Sequence, residues 1–389
     1  MAEKGKYTGI RISCALLAAA VATTSLLCAC SKKTEPQQGD PKYLKKVDGY
    51  SFWENDAKTA IPEYQVYHHV HDFLDGCTMR DGSAISPDGA VRKVLFLGFD
   101  GMRADAVANL LHDENAFETN GYNAPAQFSG IGELQKAGGI YIGYCGGEKD
   151  TETQQTTSTS ASWTSQFTGV WGSQHGVKTN DDVKNMEHKT FMLEFAEQGL
   201  QTSLAFDWDQ YLDVNLKEEV KYVLARPELK MTFCDIDRKK AEKPKKTRAE
   251  TPALYNFVAP ETPSAAAPYD TGMRDYVLGR IAQGDDIVCG IFHNIDSNGH
   301  SYEFSNSSGN YVDSVRNCDN YAYEILQAVR QREAEHNEKW LIVMANDHGG
   351  IGQGHGEQTL EERTTWIASN IKFDEKYFAK GYNGFNVKD

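Results

Sequence analysis

The chain has 389 residues, with 40 Lys+Arg against 55 Asp+Glu, 34 Gly, 8 Cys, 40% apolar and 24% charged residues. That is a globular composition, and it excludes disorder, collagen or coiled coil as the state of the whole chain. The net charge of −15 argues against nucleic acid as a stable partner, because phosphate backbones recruit Lys/Arg surfaces; a small anionic substrate drawn to a bound cation stays open.

The first thirty residues read as a leader. Lys4, Lys6 and Arg11 form a basic start, and the run from Ile12 to Leu27 is apolar, rich in small residues and short for a membrane span. Leu27-Cys28-Ala29-Cys30 resembles a bacterial lipobox. The resemblance implies a signal peptide over 1–29, cleavage before Cys30 and lipid on its sulfur. The mature protein is then expected in the bacterial cell envelope, anchored to the membrane on its periplasmic or outer side. A plain secretory signal or a retained anchor helix are the other readings. Cleavage removes three basic residues and one acidic one, which takes the net charge from −15 to −17. Residues 30–60 are polar and unpatterned, as expected of a tether, and 61–389 read as the folded domain. Five cysteines lie beyond Cys30: Cys77, Cys145, Cys234, Cys289 and Cys318. An odd number leaves at least one thiol free or paired between chains.

The run Lys93–Phe99 is continuously apolar from Val94 and ends at Asp100, the pattern of a buried parallel strand. A helix is expected over Ala104–Leu111. Further strands are expected at Ser203–Phe206, Ile287–Ile295 and Trp340–Ala345, and helices at Ser162–Thr168, Phe191–Glu197, Gly272–Ala282 and Val312–Glu335. Alternating strands and helices predict a three-layer α/β/α sandwich around a mostly parallel sheet. The segment 238–268 carries RKKAEKPKKTRAE and then a Pro/Ala-rich stretch, and reads as a solvated insertion or cap.

Three apolar runs end in an acid: Phe99-Asp100, Ile295-Asp296 and Asn346-Asp347. In parallel sheets, functional groups gather at the carboxyl ends of strands. Asp296 is followed at Asp-x-x-x-His spacing by His300, Asp347 is paired with His348, and His355 follows in DHGGIGQGHGE. Carboxylate and imidazole ligands together suit zinc-like ions. Six such groups are enough for two ions with three protein ligands each, leaving positions open for substrate. Taken singly, each has a plainer reading: an Asp at a strand end as a turn residue, a lone His as a surface or core residue.

KVLFLGFDGMRAD, TSTSASWTSQFTGVWGSQHGV, IDSNGH and ANDHGGIGQGHGE together resemble the alkaline phosphatase superfamily, in its order of motifs, across about Lys93 to Arg363. The branch they are most similar to is type I phosphodiesterase/nucleotide pyrophosphatase. By position, the resemblance implies one zinc ion on Asp296, His300 and His355. It implies a second on Asp100, Asp347 and His348, with the oxygen of Thr159 bridging toward it. The family's nucleophile stands ten residues before the Gly of a Thr-Gly pair, and Thr168-Gly169 points to Thr159. Thr157, Ser158 and Ser160 are rivals in the same hydroxyl-rich run. The helix that follows aims backbone N–H groups at an anion. A hydroxyl held against a metal ion loses its proton readily, so the chemistry needs no separate histidine base.

Asn180 stands twenty-one residues after Thr159, where the resemblance implies an amide that donates to a non-bridging phosphate oxygen. His175 and Gly176 are expected to be structural. The run after Thr159 lacks the Pro and Arg of sulfatases, which disfavours sulfate esters. No Arg or Lys lies near Thr159 in sequence to hold a third anionic oxygen; the nearest are Lys149 and Lys178, while Arg103 or Arg316 could fold in. The expectation is therefore hydrolysis of phosphodiester or nucleotide pyrophosphate bonds. Phosphomonoester cleavage is the alternative, with a phosphoethanolamine-type transferase or a non-catalytic binding protein further behind.

Overall fold

The computed structural model describes residues 37–112, 128–236, 255–257, 270–379 and 385. The leader over 1–29, the cysteine at 30 and nearly all of the insertion at 238–268 lie outside the described residues. In order, the strands are β1 (Ile61–Pro62), β2 (Thr78–Arg80), β3 (Ser83–Ile85), β4 (Val91–Phe99), β5 (Gly139–Tyr144), β6 (Thr202–Phe206), β7 (Met231–Asp235), β8 (Tyr255–Phe257), β9 (Ile287–Phe292), β10 (Glu338–Ala345) and β11 (Thr364–Ser369). They form a single sheet with the main order β1-β5-β11-β10-β4-β9-β6-β7-β8, and the β2–β3 hairpin extends from β4. Along the main order every strand runs parallel except β11, which is antiparallel to both β5 and β10.

The apolar run of β4 explains its central place. Val94 and Phe96 enter one core, Leu95, Leu97 and Phe99 the other, and all five are fully buried. A strand covered on both faces reads as an unbroken apolar run. On the first face lie helices Gln65–Leu74, Thr159–Thr168, Phe191–Glu197 and Lys217–Leu224. On the second lie Tyr43–Asp48, Ala104–His112, Gly130–Ala137, Asp270–Gln283 and the 27-residue helix Gly309–Glu335. The three-layer α/β/α arrangement expected from the alternating pattern is therefore present. No described helix is long and apolar enough to cross a membrane.

Two expectations need correction. Residues 40–60 are not tether: Tyr43, Val47 and Trp53 are buried in the core, and the Trp53 indole donates to the Val47 carbonyl. Their apolar side chains are spaced too irregularly to register as an element. The strand expected over Ile287–Ile295 stops at Phe292, and Asp296 sits instead in the first turn of a helix, Asn294–Tyr302. The apolar Ile295 belongs to that helix and packs into the core beneath it. Among the described residues no disulfide joins the five cysteines beyond Cys30, and Cys289 is buried within β9.

Candidate metal centre

Strands β10, β4 and β9 are neighbours and run parallel, so their carboxyl ends lie side by side. β4 delivers Asp100 directly after Phe99. β10 delivers Asp347 and His348 two and three residues after Ala345. β9 delivers the helix whose first turn holds Asp296 and whose last turn holds His300. Asp296 and His300 are four residues apart on a helix, which puts both on one face. The loop leaving β10 returns with His355. The sequence thus separates ligands by up to 255 positions, and the sheet order brings them together.

The contacts are close throughout. His348 Nε2 lies 3.5 Å from Asp100 Oδ1 and 3.3 Å from Asp347 Oδ2. His355 Nε2 lies 3.4 Å from Asp296 Oδ1, and His300 Nε2 lies 3.3 Å from Asp296 Oδ2. His300 Nε2 and His355 Nε2 are 3.1 Å apart. Ligand atoms of Asp100, Asp347 and His348 lie within 4.8 Å of one another, as do those of Asp296, His348 and His355. All six expected ligands meet in one place, with His348 central to both groups.

The residues fit divalent cations on three counts. Asp347 Oδ2 and Asp296 Oδ1 are buried carboxylate oxygens without a hydrogen-bond partner, and such atoms are costly unless a cation meets them. Three histidines spend Nδ1 on backbone carbonyls: His300 on Gln353, His348 on Gly349 and His355 on Thr157, at 2.9, 2.7 and 3.0 Å. A carbonyl only accepts, so Nδ1 carries the proton in each ring, and a neutral ring then offers its Nε2 lone pair to a metal. Burial also pushes His348 down to about 4 and His355 to about 3, which keeps both rings neutral as ligands must be. Burial pushes Asp100 well above the ordinary carboxylate range, with Asp347 and Asp296 adding repulsion, and it pushes Asp347 up to about 7. Asp100 and Asp347, close together and buried, lack the positive charge that would keep both ionised, whereas burial at Asp296 is outweighed by the hydrogen bond from His300 and the charge of His355, which hold its carboxyl well below the ordinary range.

Thr159 opens the helix Thr159–Thr168 and is 2% exposed. Its Oγ1 lies 3.5 Å from Asp100 Oδ1 and 3.5 Å from His348 Nε2. The rival hydroxyls are engaged elsewhere. Thr157 Oγ1 donates to the Glu357 carbonyl at 2.7 Å, Ser158 pairs with Thr156 at 2.5 Å, and Ser160 Oγ donates to Asn215 Oδ1 at 2.7 Å. The Ser158 side chain makes no capping bond. Asn180 Oδ1 instead accepts from the Ser160 N–H at 2.9 Å. That bond commits the amide oxygen and leaves the Nδ2 end to donate elsewhere. The Asn180 carbonyl is held in turn by Gln210 and Asn215. His175 is buried behind the helix, its Nε2 3.1 Å from Ser165 Oγ, consistent with a structural part.

Packing fixes the helix to the strand. A Cβ at Gly98 would come within 2.5 Å of Trp163 and of Ile291, so only glycine lets the helix lie this close to β4 beside Asp100. A Phe304 side chain joins the loops. Cβ atoms on Gly299 and Gly350 would come within 2.5 Å of its ring, and one on Gly101 within 3.0 Å. These three glycines follow β9, β10 and β4, so one phenyl ring seats all three ligand-bearing ends. Its edge meets the His300 and His355 rings at 5.4 and 6.0 Å between centroids.

His293, which the motif reading passed over, also enters the site. Its Nδ1 lies 2.9 Å from Asp100 Oδ2. The signal was the spacing His293-x-x-Asp296-x-x-x-His300, a helical face; it was hidden because His293 was read as strand interior. Neither Arg103 nor Arg316 has folded in as a free cation. Arg103 is bound to Asp105 and to the carbonyls of Phe304 and Gly350, and Arg316 faces Asp313 at 3.6 Å. Lys178 donates to the Glu152 carbonyl.

No protein-family model matches the chain, and no curated protein matches it. Similar solved structures include a 2-O GAG sulfatase, at 11% identity and a TM-score of 0.42 over 71% of this chain and 63% of that one. A phosphonoacetate hydrolase from Sinorhizobium meliloti 1021 matches at 13% and 0.43 over 69% and 59%. An alkaline phosphatase from the Antarctic bacterium TAB5 matches at 10% and 0.42 over 76% and 98%. The chain thus spans less than two thirds of the length of the first two. These proteins are named for different substrates, and similarity at this level does not choose among them.

Proposed function

We propose that the chain is a metal-dependent hydrolase of phosphate esters, acting on phosphodiester or nucleotide pyrophosphate bonds through a phospho-threonine at Thr159. The observation that carries this reading is the placement of Thr159 Oγ1. It is the one hydroxyl of its run turned toward the ligand cluster, 3.5 Å from a carboxylate oxygen and an imidazole nitrogen, at the start of a helix. Asp100, Asp347 and His348 would hold one divalent cation, and Asp296, His300 and His355 a second, with zinc favoured by the mixed nitrogen and oxygen donors. Bound there, the two cations supply Lewis-acid charge for the attacking and leaving oxygens of an in-line displacement.

The protein's own groups do the rest. Thr159 Oγ1 forms a bond to phosphorus as the leaving oxygen departs, and water then cleaves the phospho-threonine and restores the hydroxyl. The Thr159 N–H at the start of the helix and Asn180 Nδ2 would receive the non-bridging oxygens, which carry the developing charge, the Ser160 N–H being already given to Asn180 Oδ1. No histidine serves as the base in this reading, because the Nε2 lone pairs of His300, His348 and His355 would be taken up by the cations. The diester reading is supported by Arg103, which is spent on Asp105 and two carbonyls and so does not receive a third anionic oxygen.

The deciding experiment compares bis-p-nitrophenyl phosphate with p-nitrophenyl phosphate on the metal-loaded protein. A higher kcat/KM for the diester supports the reading, and the reverse order makes the chain a phosphomonoesterase. The envelope location rests on the lipobox alone; a Cys30→Ser chain that still partitions with membranes would remove it.

A further inference from the structure

His293 flanks the helix Asn294–Tyr302 at its N-terminus, a position where side chains commonly cap, yet it makes no capping bond. Its ring turns to the ligand cluster instead and spans the two proposed triads. Nδ1 meets Asp100 Oδ2 at 2.9 Å, and Nε2 stands 3.8 Å from Asp296 Oδ2. The ring is held flat against Trp208, with centroids 5.9 Å apart and planes 14° apart, and lies 6.3 Å from Phe206. A ring wedged in this way has little freedom to turn.

The consequence falls on Asp100. With Oδ2 engaged by His293, the remaining oxygen, Oδ1, is the one that faces His348 Nε2 and Thr159 Oγ1, each at 3.5 Å. A carboxylate left to itself binds through either oxygen or both. We propose that His293 is a positioning residue: its Nδ1–H holds Asp100 Oδ2, so that Asp100 meets its cation through Oδ1 alone, beside Thr159. The inference rests on the metal-binding reading of the centre. A direct ligand role is the competing assignment, because ligand atoms of Asp100, His293 and Asp296 also lie within 4.8 Å of one another. An ion held jointly by His293 Nδ1 and Asp100 Oδ2 would have to break the 2.9 Å bond between them.

Two variants separate the roles. His293→Asn keeps a donor close to the position of Nδ1 but has no second ring nitrogen, and His293→Ala keeps neither. Zinc affinity is measured on the full chain, stripped and then titrated against a competing chelator, with circular dichroism confirming the fold. Outer partners of metal ligands typically contribute about 10–100-fold in affinity. His293→Ala is therefore expected to weaken one of two zinc ions by that factor, and His293→Asn to stay within about threefold of the native value. Native affinity in both variants overturns the proposal. Loss of a whole equivalent of zinc in both variants also overturns it and makes His293 a ligand. A native chain that binds no zinc defeats the functional reading itself, and is recognised before either variant is compared.

Discussion

His300 Nε2 and His355 Nε2 face each other across 3.1 Å, and in both rings the other nitrogen is already bonded to a carbonyl oxygen. Two neutral rings so arranged would point lone pairs at one another. Something positive must therefore sit in or beside that gap, either a proton or a cation. Asp296 lies against both rings, at 3.3 and 3.4 Å. Chelation is accordingly expected to destabilise the fold. An ion present at a hundred times its dissociation constant stabilises by about 2.7 kcal/mol. Removing it should lower Tm by roughly 5 °C, read by calorimetry with and without EDTA. An unchanged Tm means the gap holds no ion.

A proton and a cation compete for that position, which gives a pH dependence. In the metal-free protein burial lowers the His300 pKa, but the hydrogen bond and charge of Asp296 outweigh it and raise the value to about 9. The folded value lies above the unfolded value of 6.5, so this stabilisation is complete below 6.5 and is lost as pH rises through about 9. Metal-free protein should lose Tm across that window. Metal-loaded protein should not lose it from this source, because the ion has replaced the proton. Parallel pH slopes in the two forms would rule the competition out.

Thr159→Ala should lower turnover by at least about a thousandfold, since nucleophile and companions act as a unit. Ser158→Ala, whose hydroxyl is tied to Thr156, should stay within about threefold. Acid quenching during turnover should trap phosphate on Thr159, located by mass spectrometry. Phosphate found on Ser158 or Ser160 would move the nucleophile.

Asn180→Ala removes an amide donor and also strips the Ser160 N–H of its acceptor. Loss of one preorganised donor costs about 10²–10³ in kcat. The effect should fall on kcat more than on KM, because the donor meets charge that develops in the transition state. An equal rise in KM with kcat unchanged would place Asn180 in ground-state binding only.

Gly98→Ala would press a methyl group against Trp163 and Ile291. Overpacking of this kind costs about 1–3 kcal/mol. Because the displaced helix carries Thr159, activity should fall along with the denaturation midpoint. A variant of native stability and native rate would show that the helix can shift without cost.

Much of the site was legible because it depends on residue type at strand ends. Asp100, Asp347 and His348 lie where an apolar run stops, and apolar runs report burial on both faces. The central strands β4, β6, β9 and β10 were visible for the same reason. Strands β5, β7 and β11 were not. GIYIGY, MTFCD and TTWIAS mix small, polar and aromatic residues, and their burial comes from neighbours supplied by the fold. His293 was missed because the boundary of β9 was placed three residues late. A strand reading alternates side chains, whereas the helix that begins there turns His293, Asp296 and His300 to one side. The choice among four hydroxyls depends on partners such as Glu357 and Asn215, which are remote in sequence and become neighbours only on folding.

The antiparallel turn of β11 has a thermodynamic consequence. β10 leaves the sheet at Ala345 and the chain returns beside it at Ile367, so the segment bearing Asp347, His348 and His355 is a closed loop with paired ends. Further bonds brace it inside: Gly349 N to the Glu362 carbonyl at 2.9 Å, Gly356 N to Thr157 Oγ1 at 3.0 Å, and Glu357 N to Glu362 Oε1 at 3.1 Å. The entropy of ordering these ligands is therefore spent when the chain folds and not when an ion arrives. Metal capture at such a centre is an encounter with a finished receptor, whose speed is set by shedding water from the ion and protons from the ligands.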